Sequence, residues 1–414
     1  MDLLDKRESA VDVVKLVKRR RAWPALLTAL VLTVLSGLLL PGSAAAEGTS
    51  SESTVYANVV TGGDGTRTPD IVSTSANNAV VAWREGLRPG NVDMGYIRYS
   101  YTTDGGANWS RPQMLAQETS AFAWHYVILY KAGNELFAFL GRTPIRDTDN
   151  DDKDDTADDG INHNGLPISD TVVKRSTDEG HSWQTYPATF PDIPNMVFAG
   201  HPLKWTNPSN PDDVRHVMPY WASKRENGVL TSTDMKTWSK AGSVINGNDD
   251  AVKAGENQIA LSQSGTAGNE LVMVARSAND YAMKATSTNG GASWSPFVRD
   301  TSLPSADTSK AYFTKDSNGQ YLYIYNYPVR SANPPDPAYR DVLYYKTKRR
   351  DGSWSAPKFF ANGTEPEVDS PGTTGEGWDT YAMADEYAPG KFFVVWEYDT
   401  SRIKVNRLDI SDAP

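Results

Sequence analysis

An eight-residue motif returns at intervals along this chain. Thr102-Thr103-Asp104-Gly105-Gly106-Ala107-Asn108-Trp109 is echoed by Ser176-Thr177-Asp178-Glu179-Gly180-His181-Ser182-Trp183 and by Ser287-Thr288-Asn289-Gly290-Gly291-Ala292-Ser293-Trp294. A further copy, Ser232-Thr233-Asp234-Met235-Lys236-Thr237-Trp238, is one residue shorter and has lost its glycine, and the last is reduced to Asp351-Gly352-Ser353-Trp354. The Asp or Asn positions fall 74, 56, 55 and 62 residues apart. The chemistry of the unit is that of a β-hairpin turn. The Asp or Asn oxygen accepts backbone N–H bonds inside the loop. Glycine takes backbone angles that other residues resist. The Trp packs the loop onto its own strands.

Between the copies lie short runs rich in β-branched and aromatic residues: Ala79–Trp83, Glu135–Leu140, Leu271–Ala275, Tyr321–Tyr325 and Phe392–Trp396. No long helical period appears after residue 46. A period near 60 divides the remaining chain into about six units, within the range of propeller blades. The expectation is an all-β, six-bladed β-propeller over 47–414, binding its ligand where loops converge at one end of the axis. The repeat resembles the Asp box, Ser-x-Asp-x-Gly-x-x-Trp, also called the BNR repeat, of sialidases and other propellers. In that family the boxes are structural and peripheral, so no catalytic role is expected of them.

The segment before residue 47 has another character. Lys18, Arg19, Arg20 and Arg21 precede an almost unbroken apolar run, Ala25 to Leu40, and Ala44-Ala45-Ala46 offers the small residues that a signal peptidase reads. This is the layout of a secretory signal peptide, 1–46, cleaved near Glu47. The run is short for a bilayer-spanning helix, which needs roughly 20 apolar residues. A secreted, extracellular protein with no stable membrane anchor is expected. The chain has no cysteine, so packing alone must hold it together outside the cell. Its formal charge is -10, and because 1–46 holds seven Lys/Arg and four Asp/Glu, the rest carries -13. Such a surface offers nothing to nucleic acid. An anionic ligand would have to be drawn in by a local cluster of cations, against the overall field.

Taken in chain order, further segments are similar to those of bacterial sialidases (neuraminidases). Arg67-Thr68-Pro69 resembles the family's Arg-Ile-Pro. Glu85-Gly86-Leu87-Arg88 resembles Glu-Gly-Arg with one residue inserted, and Asp93 follows five residues later. Glu256-Asn257-Gln258-Ile259-Ala260-Leu261 resembles Glu-x-Gln-Val-x-Glu-Leu without its closing acid, and the next strand ends in Arg276-Ser277. His216-Val217-Met218-Pro219-Tyr220 looks like a family strand that carries no chemistry. Arg340-Asp341-Val342-Leu343, Trp378-Asp379-Thr380-Tyr381-Ala382 and Val395-Trp396-Glu397-Tyr398 resemble the late segments. The motifs are short, but their joint order spans essentially all of 60–405.

The resemblance implies a division of labour. Arg67, Arg276 and Arg340 would hold a substrate carboxylate, a task suited to arginine's planar fork. Arg88 would be a further substrate-binding residue. Asp93 would be the general acid/base, Tyr381 the nucleophile and Glu256 its base, with Glu397 orienting Arg67. A carboxylate nucleophile would meet an anionic sugar against like charge, whereas a neutral tyrosine would not. The activity implied is that of a retaining exo-α-sialidase acting on sialylated glycans or related acidic keto-sugar glycosides. The alternatives are another keto acid, deaminated or eight-carbon, a trans-sialidase, or a non-enzymatic glycan-binding propeller. The set of acid, nucleophile and base favours an enzyme, monomeric and with no cofactor required for catalysis. Outside the family pattern, 147–159 packs eight aspartates into thirteen residues. Asp147, Asp149, Asp151, Asp155 and Asp158 stand at positions 1, 3, 5, 9 and 12, spaced as in a calcium loop, but Asp152 replaces the glycine at position 6. Structural Ca2+ and a plain solvated insert are both open readings.

Overall fold

The computed structural model describes residues 53–57, 65–86, 95–144, 170–222, 226–245, 254–263, 270–277, 280–306, 309–326, 340, 342–362, 379–398 and 401–411. Their strands form six antiparallel four-stranded sheets. After β1 (Ser53–Ala57), blade one is β2 (Thr66–Ser73), β3 (Ala79–Glu85), β4 (Tyr96–Thr102) and β5 (Gln113–Ala116). Blade two is β6 (Phe122–Ala132), β7 (Glu135–Pro144), β8 (Asp170–Ser176) and β9 (Gln184–Tyr186). Blade three is β10 (Leu203–Asn207), β11 (Asn210–Ala222), β12 (Glu226–Ser232) and β13 (Ser239–Ile245). Blade four is β14 (Gly255–Leu261), β15 (Leu271–Arg276), β16 (Tyr281–Ser287) and β17 (Val298–Pro304). Blade five is β18 (Tyr312–Lys315), β19 (Tyr321–Asn326), β20 (Val342–Lys348) and β21 (Lys358–Asn362). Blade six takes β22 (Asp379–Ala388), β23 (Lys391–Tyr398) and β24 (Arg402–Asp409) from the end of the chain and β1 from its beginning. The pairing Ser53↔Val405 closes the ring as a seam between the two ends. The six-bladed propeller expected from the repeat is therefore the fold.

The five apolar runs read from the sequence are the second strands of blades one, two, four, five and six, and His216–Tyr220 lies in the second strand of blade three. A second strand is covered on both faces by neighbouring blades. Every residue of β3 is buried, and Trp83, Trp396, Phe137, Phe139 and Tyr323 are among the largest fully buried side chains. Truncating one such aromatic to Ala costs roughly 3–5 kcal/mol.

Each Asp box joins the third and fourth strands of a different blade, from one to five. In the first, Thr102 Oγ1 donates to Asp104 Oδ1 (2.8 Å) and accepts from Gly106 N (2.9 Å), while Asn108 N donates to Asp104 Oδ1 (2.9 Å). The copies at Asp178 and Asn289 repeat these bonds. One expectation is corrected. The boxes do not pack only on their own strands; most clip a blade to the one before it. Trp109 Nε1 donates to Ser53 Oγ of β1 (3.2 Å), and the Trp238 ring meets Phe139 of blade two edge-on at 5.6 Å. A Cβ on Gly180 would lie 2.2 Å from Val80 Cγ2 of blade one. The box glycine is thus demanded twice, by φ +90° and by the close approach of the preceding blade.

At the axis the inner strands are joined by polar groups. Asp70 on β2, wholly buried, accepts from Leu129 N on β6 (2.7 Å) and bonds His201 Nε2 (2.6 Å). Ser73 on β2 donates from N and Oγ to Asp385 Oδ2 on β22 (2.7 and 2.6 Å). Burial disfavours a charge on His201, but the adjacent Asp70 outweighs it and holds the imidazole above its ordinary range.

Candidate functional site

In an antiparallel blade, the starts of the first and third strands share an end with the finish of the second. Arg67, Glu256 and Tyr381 lie near the starts of the inner strands β2, β14 and β22. Arg276 and Glu397 lie near the ends of the second strands β15 and β23, and Arg340 precedes the third strand β20. The topology brings all six to one end of the propeller, opposite the Asp boxes. Arg88 and Asp93 fall in the chain between β3 and β4, outside the described residues. So do the expected signal segment 1–46 and the acidic run with Asp147, Asp149, Asp151, Asp155 and Asp158.

Three of these inner strands carry a β-bulge at the site. The register shifts between Arg67 and Asp70, between Gly255 and Asn257, and between Thr380 and Met383. At each bulge a non-glycine residue takes positive φ: Thr68 (46°), Glu256 (37°) and Tyr381 (54°). Such backbone costs of order 1–3 kcal/mol per residue and persists only where its surroundings over-determine it. A bulge re-aims a side chain out of the regular alternation. Here the surroundings are specific. Thr68 N donates to Glu397 Oε2 (2.8 Å), Asn257 Nδ2 to the Tyr220 carbonyl (2.8 Å), and Thr380 Oγ1 to Asn326 Oδ1 (3.0 Å).

The charges are arranged in two connected groups. Glu397, 1% exposed, faces Arg67 Nη1 at 3.5 Å, so one carboxylate holds both the first arginine and the bulge that presents it. Arg276 Nη1 makes an ion pair with Glu256 Oε2 and donates to Tyr381 Oη at 3.5 Å. The Arg340 guanidinium lies 5.4 Å from the centre of the Tyr381 ring. Arg67 and Arg276 remain 13% and 27% exposed, enough for a solute to reach them, whereas Glu397 is closed off. Burial first and the Glu256 charge second push the Tyr381 phenol up, while Arg276 and Arg340 pull it down. Arg276 Nη1 is bonded to both Glu256 Oε2 and Tyr381 Oη, so it holds the carboxylate and the phenol at one point.

Glu85, in the segment read as Glu-Gly-Arg, is a structural group. It is buried, pairs with Arg98 Nε (3.0 Å) and accepts from Tyr56 Oη of β1 (3.1 Å). Sequence reasoning passed over Lys310, which is 6% exposed with its Nζ 5.9 Å from the Tyr381 ring centre. The available signal was a lone cation heading an apolar inner strand, Ser309-Lys310-Ala311-Tyr312-Phe313.

A family model described as the BNR repeat-like domain matches residues 77–378. The chain belongs to the BNR repeat-like family. No curated protein matches it by sequence. Its BNR propeller is similar to a protein of unknown function from Dyadobacter fermentans (15% identity, TM-score 0.63, covering 87% of this chain and 98% of that one). It is similar to the intramolecular trans-sialidase from Ruminococcus gnavus (14% identity, TM-score 0.59, covering 87% and 98%). It is also similar to the NanB sialidase from Streptococcus pneumoniae (14% identity, TM-score 0.59, covering 87% and 71%). At such identities the likeness is one of fold: this BNR chain has a sialidase-like propeller.

Proposed function

We propose that the protein is a retaining exo-glycosidase that removes a terminal α-linked nonulosonic acid, in the first instance a sialic acid. The observation that carries this reading is the meeting of Tyr381, Glu256 and Arg276 on two strained bulges, with Arg340 beside them and Arg67 held by Glu397 at the same end. A site that only bound a carboxylate would need the arginines. It would have no use for a half-buried phenol set against a carboxylate, in backbone that costs free energy to maintain.

In the proposed reaction Arg67, Arg276 and Arg340 hold the substrate carboxylate while positive charge develops on the ring. Tyr381 Oη attacks the anomeric carbon as Glu256 accepts its proton, and the bond to the leaving oxygen breaks as Asp93 protonates that oxygen. Asp93 then takes a proton from water, the water oxygen attacks the anomeric carbon as its bond to Tyr381 Oη breaks, and Glu256 returns the proton to the phenol. Arg88 contacts the sugar outside the carboxylate clamp. The protein is exported, with 1–46 removed near Glu47.

The test is a panel of fluorogenic keto-acid glycosides combined with a 3-fluoro sialosyl fluoride. Cleavage of the N-acetylneuraminic acid glycoside and peptide-mapped label on Tyr381 are the expected results. Label on Glu256 or Asp93 would remove Tyr381 from its role. Cleavage of a deaminated or eight-carbon glycoside alone would change the substrate, and an anhydro or transferred sugar product would make it a transglycosidase, the activity named for the Ruminococcus protein. No cleavage of any member would leave a glycan-binding propeller.

A further inference from the structure

Lys310 is a buried cation beside the site that the proposed mechanism does not use. It stands just before β18 of blade five and is 6% exposed, a position a lysine occupies only when partnered. Its Nζ donates to the Ala199 carbonyl at 3.2 Å, an oxygen that also accepts from Gln258 Nε2 on β14. The residue before it is latched to the residue before Tyr381: Ser309 Oγ and Thr380 Oγ1 lie 2.5 Å apart, both buried. This paired latch sets Lys310 beside the phenol, with Nζ 5.9 Å from the ring centre.

The surroundings are charged on every side. Burial holds the Lys310 ammonium below its ordinary range, and the charges of Glu256 from β14, Asp70 from β2 and Glu397 from β23 act against that burial to favour the cation. His201, itself bonded to Asp70, also feels the Lys310 charge. Tyr381 is faced by Glu256, Glu397, Arg276 and Arg340 in addition to Lys310. The ammonium donates to one carbonyl, that of Ala199, and the three carboxylates act on it through their charge. Hydrogen bonding to Ala199 alone does not call for a charge, since a neutral amide would serve.

We propose that Lys310 is a positioning residue whose ammonium, locked beside Tyr381 by the Ser309–Thr380 latch, offsets the Glu256 charge and stabilises the phenolate that develops as Tyr381 attacks. This deepens the glycosidase reading and rests on it for its role in turnover, but the electrostatic link between Lys310 and Tyr381 is testable without activity. Lysine suits the task because a compact point charge on a long stem reaches the centre from the neighbouring blade.

The experiment places 3-fluorotyrosine at position 381 of the full-length protein and follows the phenol by fluorine NMR as pH is raised. Wild type is compared with Lys310→Gln, which keeps a donor for Ala199, and Lys310→Met, which keeps neither donor nor charge. An opposite charge near a titrating group shifts it by about one unit or more. The phenol midpoint should therefore rise by about one unit in both variants, and kcat/KM near neutral pH should fall about tenfold. If Lys310→Met does not fold, Lys310→Gln carries the test. An unmoved midpoint in a folded variant overturns the proposal, because a merely structural lysine would alter melting and leave the phenol where it was. A moved midpoint in a protein that cleaves no keto-acid glycoside would retain the electrostatic link and discard the enzyme reading.

Discussion

The two ends of the propeller solve different problems with the same strands. At the Asp-box end the three full turns are closed by their own oxygens, with Thr102, Ser176 and Ser287 repeating one bond pattern, and positive φ falls mostly on glycine, with Glu179 and Met235 as the exceptions. At the other end Thr68, Glu256 and Tyr381 sit at positive φ without glycine, and charged groups from several blades hold them there. The first end lowers free energy locally and repeats. The second holds strain for the sake of where its side chains point, which is the pattern expected where function is placed.

The contrast is broken most directly at Tyr381. Tyr381→Phe keeps the ring and its packing but removes the attacking oxygen, so kcat on a sialoside should fall by about 10³-fold or more while melting is unchanged. A near-normal kcat would show that the strained end is not the reacting one. Arg276→Ala comes next. It strips the partner from both Glu256 and Tyr381, and we expect kcat/KM to fall on the order of 10²-fold, with the loss shared between kcat and KM. A loss confined to KM would reduce Arg276 to uniform binding.

The opposite end should respond in stability alone. Gly180→Ala meets Val80 Cγ2 at 2.2 Å with φ at +90°, and should cost about 1–3 kcal/mol and several degrees of Tm with kcat intact. Gly133→Ala, at φ +65° with open space around it, should cost less. The difference between the two melting temperatures measures the inter-blade clip, and equal losses would deny it.

The smallest effect is in pH. Burial acts to raise Asp178, but the hydroxyls of Ser176 and Ser182 and the Ser182 amide outweigh it and hold the carboxyl at about 2, below its ordinary 3.8. A depressed acid contributes stability above its unfolded value and loses it as pH falls through the folded one, here from about 3.8 down towards 2. The contribution is modest because Asp178 is largely solvated. His201 has the reverse sign. Held up by Asp70, it contributes fully below the ordinary 6.5 and loses that contribution as pH rises through its higher folded value. Asp178→Asn should flatten the acid side of a Tm-against-pH curve and His201→Gln the neutral-to-alkaline side. Wild-type curvature in either variant would remove that group from the account.

The reach of sequence reasoning follows the same division. Second strands such as β3 and β19 are buried on both faces, so they stand out as unbroken apolar runs, and five of the six were legible in that way; β11 is only partly buried and was picked out at His216–Tyr220 by family likeness. Outer strands were not, because β9 is three residues long and mostly exposed, leaving no alternation to read. Arg67, Glu256, Arg276, Arg340, Tyr381 and Glu397 were selected by family order rather than by pattern, since a bulge interrupts the very period that would reveal them. Lys310 had no signal beyond an isolated cation beside an apolar strand.

An Asp, a Gly and a Trp within eight residues dictate a turn by local bonds, and their recurrence near every 60 residues dictates blades, so the fold class was already written in the chain. The meeting of β1 with β24, the packing of Gly106, Gly180 and Gly291 on the previous blade, and the gathering of Glu256, Arg276, Lys310 and Tyr381 depend on contacts between residues tens to hundreds of positions apart. Hydrogen bonds inside a turn need only neighbours in sequence. An electrostatic environment is a sum over whatever the closed ring brings within a few ångströms, and it exists only once the ring has closed.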